Sequence, residues 1–304
     1  MEQNRIKDIL NIAVMNFKVW TGDKEKNLAH MEEYTAAAVK RGAEMVLFPE
    51  MCLMGYDYFV NDNISMEQKI EVTETVNGPS VKRMEQIAKK YGVYVIFGMS
   101  EKMSEDATEL YNSAVVLGPN GLIGSYQKIH PFGIENIWCK KGETPFLFDT
   151  PWGPIGLGIC YDSYQFPELV RYYVYKGARL YLNPTAVIEE IPNEGSREAF
   201  IRCYTPHLEY SVLASSVYIA SSNLTGYDDT SYFGGGSMVI GPKTNAFGEV
   251  DVTCYIGDDR DYQVKMFVDT IDLSLAVRHQ CSINPYAGTP DFRPEIYKKL
   301  YDCL

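Results

Sequence analysis

The sequence has no apolar run approaching the roughly 18 residues of a membrane-spanning helix; its longest candidates are broken by glycine, proline or charge, so no membrane partner is expected. Basic residues are scarce. Against 40 aspartates and glutamates stand 28 lysines and arginines, and the net charge of −12 opposes the phosphate neutralisation that nucleic-acid binding needs. There is no C-x-x-C pair and no histidine at zinc spacing beside a cysteine. The seven cysteines, Cys52, Cys139, Cys160, Cys203, Cys254, Cys281 and Cys303, are odd in number and scattered, which reads as reduced thiols without a structural metal. The opening stretch MEQNRIKDILNIAVMNF lacks the long apolar core and cleavage site of a secretory leader, and a cytoplasmic location is expected. The N-x-[ST] matches at Asn63 and Asn223 then read as chance. Low-complexity tracts, flexible linkers and abrupt changes of charge are also missing, so residues 1–304 read as one domain.

What is present has the balance of an ordinary globular enzyme, 46% hydrophobic and 22% charged. ILNIAVMNF predicts a buried strand. DKEKNLAHMEEYTAAAVKRGA predicts a helix with Leu28, Met31, Ala38 and Val39 on its apolar side, closed by Gly42, and EMVLFPE a second strand. The alternation continues through the helix SVKRMEQIAKKYG, the strand VYVIFGMSE, the helix FPELVRYYVYKGA and the strand RLYLNPTA. ELYNSAVVLGPNGLIGSYQK alternates apolar and polar residues around Pro119-Asn120-Gly121, an antiparallel hairpin signal, and FGGGSMVIGPKTNAFGEV suggests another. A mixed sheet covered by helices follows, a layered α/β or α+β architecture.

Three of these strand ends carry a reactive group: Glu50 after MVLFP, Lys128 after LIGSYQ, and Cys160 after IGLGI. Strand-end loops hold side chains rigidly yet leave them accessible. Singly, each has an ordinary alternative: free cysteine is among the most buried residue types, and a lone glutamate or lysine is usually a solvated surface charge. Together they make chemical sense. A thiol near its usual pKa of about 8.5 is mostly protonated at neutral pH, so a nucleophilic cysteine needs a base or a positive neighbour. Glu50 could be the base, and Lys128 the positive charge that also stabilises an oxyanion, with help from the backbone N–H of Tyr161. Composition and spacing alone leave the choice open.

VLFPE (Val46 to Glu50), YQKIH (Tyr126 to His130) and GLGICYDSYQFPE (Gly156 to Glu168) resemble, in order and separation, the three catalytic motifs of the nitrilase, or carbon–nitrogen hydrolase, superfamily. FGGGSMVIGP and DFRPEIY extend the resemblance over nearly the whole chain. It implies a four-layer α-β-β-α sandwich with mixed sheets, and a homo-oligomer, dimer or higher, assembled through helices near the nucleophile and the C-terminal segment at about 280–304. It implies Glu50 as general base, Lys128 as transition-state stabiliser and Cys160 as nucleophile, with no metal and no cofactor. Glu135 resembles a second glutamate placed between the lysine and a downstream glycine, here Gly142, and His130 a supporting residue or a structural histidine. Two departures stand out: CYDSYQFPE is one residue longer than in many amidase-like relatives, and Pro131 replaces a usual aliphatic residue.

The CYD that follows in the motif, rather than a Trp-Glu pair, points to the amidase and carbamoylase branches: Cys160 attacks a non-peptide C–N carbonyl, ammonia or an amine leaves, and water resolves the thioester. Nitrile hydrolysis and acyl transfer to an amine are the alternatives within the superfamily. Outside it stand an idle oligomeric scaffold and a thiol-redox enzyme, the latter weakened by the missing resolving cysteine. The partner expected is a small-molecule substrate. Tyr56, Tyr161, Tyr164 and Asn183 adjoin the motifs and are candidate substrate contacts, although tyrosine is also common in sheets and interfaces.

Overall fold

A computed structural model describes residues 6–189, 194–244 and 249–303. Strand β1 (Ile9–Phe17), helix α1 (Lys24–Lys40) and strand β2 (Met45–Leu47) open the chain, followed by α2 (Tyr56–Val60), α3 (Met66–Val72), α4 (Pro79–Tyr91) and β3 (Tyr94–Lys102). The predicted hairpin is β4 (Leu110–Gly118) with β5 (Gly121–Gln127), and α5 (Glu135–Trp138) is one turn beyond it. The second half contains β6 (Phe146–Thr150), β7 (Gly153–Leu157), α6 (Tyr161–Gln165), α7 (Pro167–Tyr175), β8 (Leu180–Thr185), β9 (Ile188–Glu189) and α8 (Glu194–Ser215). It continues with β10 (Tyr218–Tyr227), β11 (Tyr232–Gly234), β12 (Met238–Thr244), β13 (Val250–Gly257), β14 (Lys265–Asp272) and α9 (Pro294–Tyr301). The second predicted hairpin is β12 with β13; its tip, residues 245–248, lies outside the described residues.

The local signals work as their chemistry requires. Asp23 caps α1 by accepting the N–H of Lys26 at 3.0 Å, and Leu28, Met31 and Ala38 are buried as the periodicity predicts. Pro79 starts α4, where its missing N–H costs nothing, and Gly92 ends it at φ 66°. Two elements carry no clear sequence signal. Helix α8 is interrupted by Pro206, and β14 runs antiparallel along almost all of β1.

Among the described residues the strands order as β5-β4-β3-β2-β1-β10-β8-β7-β6. The join is narrow: β1 meets β10 only at Asn16–Asn223 and Phe17–Leu224, so the two halves can diverge and face each other. Side-chain alternation along β1 then serves two cores. Leu10, Ile12 and Val14 pack in the cluster that also holds Leu157, Leu180 and Leu182 of the other half and, behind them, Val170 and Tyr173 of α7 and Leu208 and Val212 of α8. Ala13, Met15 and Phe17 pack with Leu28 and Met31 of α1 and Val81 and Met84 of α4. Helix, half-sheet, half-sheet, helix is the expected four-layer sandwich. Asn223 is buried in this join, accepting the N–H of Val187 and donating to Gly235 O.

Candidate active site

Glu50 sits just past β2, on a segment pressed against β3. Phe48 N–H donates to Ile96 O at 2.8 Å and Gly98 N–H to Pro49 O at 3.0 Å. A Cβ on Gly98 would lie 2.6 Å from Glu50 Cα, so glycine is what lets the two backbones approach. Lys128 directly follows β5, its N–H donating to Asn112 O of β4 at 2.8 Å. Behind it Gly142 N–H donates to Lys128 O, and a Cβ on Gly142 would meet Gln127 O at 2.1 Å. Side-chain-free positions thus press both segments into place.

The Lys128 ammonium is fully buried between two carboxylates, 2.7 Å from Glu50 Oε1 and 2.9 and 2.8 Å from the two oxygens of Glu135. Glu135 is buried too, and accepts from Tyr56 OH at 2.8 Å and Phe132 N–H at 3.0 Å. An exposed loop glutamate would do none of this. The structure therefore brings together Glu50, Lys128, Glu135 and Tyr56. It adds a residue the sequence did not single out: Asn112 Nδ2 donates to Glu50 Oε1 at 2.7 Å and reaches Glu135 Oε2 at 3.4 Å. The signal for it was the polar pair Asn112-Ser113 near the start of the hairpin strand LYNSAVVLG. Glu50 Oε2 is buried with no hydrogen-bond partner among the described residues.

Cys160 joins this group from the other half. It lies between β7 and α6 at φ 50° and ψ −104°, a left-handed conformation that costs a non-glycine residue roughly 1–3 kcal/mol. Hydrogen bonds hold it there. Its N–H donates to Pro184 O and Asn183 Oδ1, both at 3.0 Å, and Ser163 Oγ donates to the same Asn183 oxygen at 2.7 Å. Asp162, also overlooked in the sequence, is fully buried: Oδ2 accepts Ile159 N–H and Tyr126 OH, while Oδ1 accepts His130 N–H. His130 stacks on Phe166, ring centroids 3.5 Å apart, so the longer stretch after Cys160 is closed as a short helical turn under an aromatic pair.

The remaining candidates lie around this turn. Asn183 is buried, its Nδ2 donating to Tyr164 OH at 3.2 Å and Ser221 Oγ at 3.0 Å, so its amide is occupied on both sides by protein. Tyr164 OH donates to Thr185 at 3.2 Å. Tyr161 is half-buried against Phe132 and Phe166, and Pro131 O accepts from Asn136 Nδ2. Gln165 is exposed on the outer side.

Two carboxylates share one ammonium, and the protonation preferences follow. Burial pushes the Glu50 carboxyl above its ordinary range, with Glu135 adding to the shift and Lys128 opposing it. Burial works against charge on Lys128 as well, yet the facing carboxylates of Glu50 and Glu135 outweigh it and hold its pKa well above the ordinary value. Burial and the Glu50 charge raise the Cys160 thiol despite Lys128 and a hydrogen bond with Thr185. The resting group is a neutral thiol, a fixed ammonium and a carboxylate with raised basicity. All seven cysteines are free, and among the described residues no histidine, cysteine and carboxylate cluster could hold a metal. No described helix is long and apolar enough to cross a membrane.

Comparison with known proteins agrees with this arrangement. A nitrilase of Pyrococcus abyssi is 31% identical over 81% of this chain and 86% of its own length. A citrullinase of Francisella tularensis is 31% identical over 95% of this chain and 98% of its own, and a human omega-amidase 30% identical over 75% and 78%. The crystal structure of an amidase from Nesterenkonia sp. shares the fold, with a TM-score of 0.71 over 96% of both chains at 22% identity. The carbon-nitrogen hydrolase family model matches residues 11–251, and this chain belongs to that family.

Proposed function

We propose that the protein hydrolyses a non-peptide C–N bond in a small linear amide or N-carbamoyl compound through a Cys160 thioester. The observation that carries this is the buried Glu50 Oε2, without a hydrogen-bond partner among the described residues, in a group whose other oxygen is occupied by Lys128 and Asn112. A raised carboxylate is a better base than an ordinary one, and it is free to accept one proton. Glu50 takes the thiol proton as the sulfur attacks the carbonyl carbon. Lys128 and the Tyr161 N–H stabilise the oxyanion, and collapse of the intermediate expels ammonia or an amine that receives the proton back from Glu50. Water then adds to the thioester with Glu50 again as base, releasing the acid and restoring the thiol. Glu135 fixes the ammonium, Tyr56 holds Glu135, and Asn183 supports the backbone of the nucleophile; Tyr161 and Tyr164 are offered as substrate contacts beside it.

The relatives named omega-amidase and citrullinase, together with CYD after the nucleophile, support this substrate class over nitriles, which the relatives named nitrilase keep as the second reading. Ammonia release from a panel of linear amides, N-carbamoyl amines, N-carbamoyl amino acids and matched nitriles tests it. Higher kcat/KM for an amide or carbamoyl compound is expected, and a clear nitrile preference would move the protein to the alternative.

We read residues 1–304 as one domain that assembles as a homodimer in a reducing cytoplasmic compartment. The free cysteines support the compartment. A groove of about 640 Å³ between α7, α8 and the C-terminal segment, lined by Tyr172, Tyr175, Tyr210, Phe292, Tyr297 and Tyr301, supports the assembly. Sedimentation of Tyr210→Glu as a monomer is the expected outcome, and an unchanged dimer would place the contact elsewhere.

A further inference from the structure

Asn112 is fully buried in β4, opposite Ser100 of β3, and one residue touches three members of the site. Its main-chain oxygen accepts the Lys128 N–H, and its Nδ2 donates to Glu50 Oε1 at 2.7 Å and reaches Glu135 Oε2 at 3.4 Å. The amide orientation is set by those carboxylates, since the reversed rotamer would point an oxygen at two acidic groups. It is a poor arrangement for stability: Oδ1 is buried with no hydrogen-bond partner among the described residues. A residue kept for packing or strand pairing would not need an amide there.

We propose that Asn112 is a positioning residue for the reaction, a neutral donor that pins Glu50 Oε1 in its ionised form and leaves Oε2 to accept the Cys160 proton. The inference rests on Glu50 acting as base toward Cys160. The physical reason for a neutral donor is the charge count. Lys128 is already shared between Glu50 and Glu135, so a second cation would compete for the same oxygens and a water would have to be held by the wall. An amide N–H favours the charged carboxylate without adding charge, and so opposes the upward pressure of burial and of Glu135 on Glu50. The titratable groups facing Glu50 are Lys128 from the end of β5, Glu135 from α5 with Tyr56 of α2 behind it, Cys160 from the turn before α6, and the Cys139 thiol, which burial pushes up to about 12 and which stays protonated. The acid limb that belongs to the Glu50–Cys160 unit is the one that reports on Asn112.

The test follows alkylation of Cys160 by iodoacetamide as a function of pH, resolved by peptide mass spectrometry from the other six cysteines. This readout needs no substrate. The wild type is expected to show a fast-reacting Cys160 whose rate falls along an acid limb; the limb belongs to the coupled pair. In Asn112→Leu, which keeps the branched shape at a larger volume and removes the donor, the limb should move to higher pH by about one unit, and in Asn112→Asp, which replaces the donor with an acceptor, further still. Where one of these does not fold by circular dichroism, the other decides. Asn112→Thr, strand-compatible and able to reach one carboxylate, decides if neither folds, with a smaller upward shift expected. A folded variant whose rate drops uniformly, with the limb in its wild-type place, overturns the inference while leaving Glu50 as base. A wild type with no acid limb and no fast Cys160 overturns the base reading as well.

Discussion

His130 and Asp162 tie the two halves of the site together: the His130 main-chain N–H donates to Asp162 Oδ1 at 3.0 Å, and its Nδ1 lies 2.7 Å from the same oxygen. Asp162 follows Cys160 by two residues, and His130 follows Lys128 by two, so the carboxylate sets the thiol against the ammonium.

Asp162→Asn tests that link. The new amide can satisfy only some of the N–H and O–H donors that converge on the carboxylate, so the turn should shift. Misplacement on the scale of 1 Å costs on the order of 10²-fold in kcat. Steady-state kinetics with circular dichroism checks this, and wild-type kcat in the folded variant would detach Asp162 from catalysis.

Cys160→Ala should abolish turnover and leave the fold intact, because the residue is half-buried and its backbone strain is held by Asn183 and Pro184 rather than by the thiol. Lys128→Met should lower kcat by on the order of 10²-fold or more through loss of oxyanion stabilisation. The same change leaves two buried carboxylates facing each other, so the melting temperature should fall by an amount consistent with the roughly 3–5 kcal/mol cost of breaking a buried ion pair. A folded Cys160→Ala that turns over, or Lys128→Met with unchanged kcat, would end the respective assignment.

Glu135→Gln should lower kcat clearly, and the geometry adds a stability cost. Both carboxylate oxygens face donors, Lys128, Tyr56 OH and Phe132 N–H, so a glutamine NH₂ must oppose one of them, at about 1–3 kcal/mol. Kinetics and thermal melting on the same variant are the check. Unchanged kcat, KM and melting would return Glu135 to the status of a bystander.

Away from the site, Asp228 accepts the Asp57 N–H at 2.8 Å and the Thr21 hydroxyl, and burial raises its carboxyl to about 6. A folded-state pKa above the unfolded value favours the protonated native form. Its contribution is therefore full below about pH 4 and lost as pH rises through about 6. Wild-type melting temperature should decline across that window relative to Asp228→Asn, measured by calorimetry in matched buffers; parallel curves would show that Asp228 does not titrate there.

The elements legible in the sequence were those with a local cause. The apolar run ILNIAVMNF, the helical spacing of Leu28, Met31 and Ala38 in α1 and the Pro-Asn-Gly turn between β4 and β5 each act within a few residues. Helix α8 was not legible because Pro206 breaks its pattern, and β14 was not because its place beside β1 depends on a partner at the other end of the chain. Asn112 and Asp162 were missed for a related reason. In sequence one is a polar residue in a strand and the other a helix-start aspartate; only the fold surrounds each with reacting groups.

By itself the sequence determined which chemical groups stand at the strand ends: a carboxylate at 50, an amine at 128 and a thiol at 160. Those are properties of side chains and short-range spacing. The tertiary structure decided how the groups behave. Glu50 and Lys128 are 78 positions apart, and their contact, the burial that raises the Glu50 carboxyl, and the choice of Oε2 as the open oxygen all arise from packing between distant segments. A pKa and a free lone pair depend on dielectric and on neighbours within a few ångströms, and those exist only once the chain has folded.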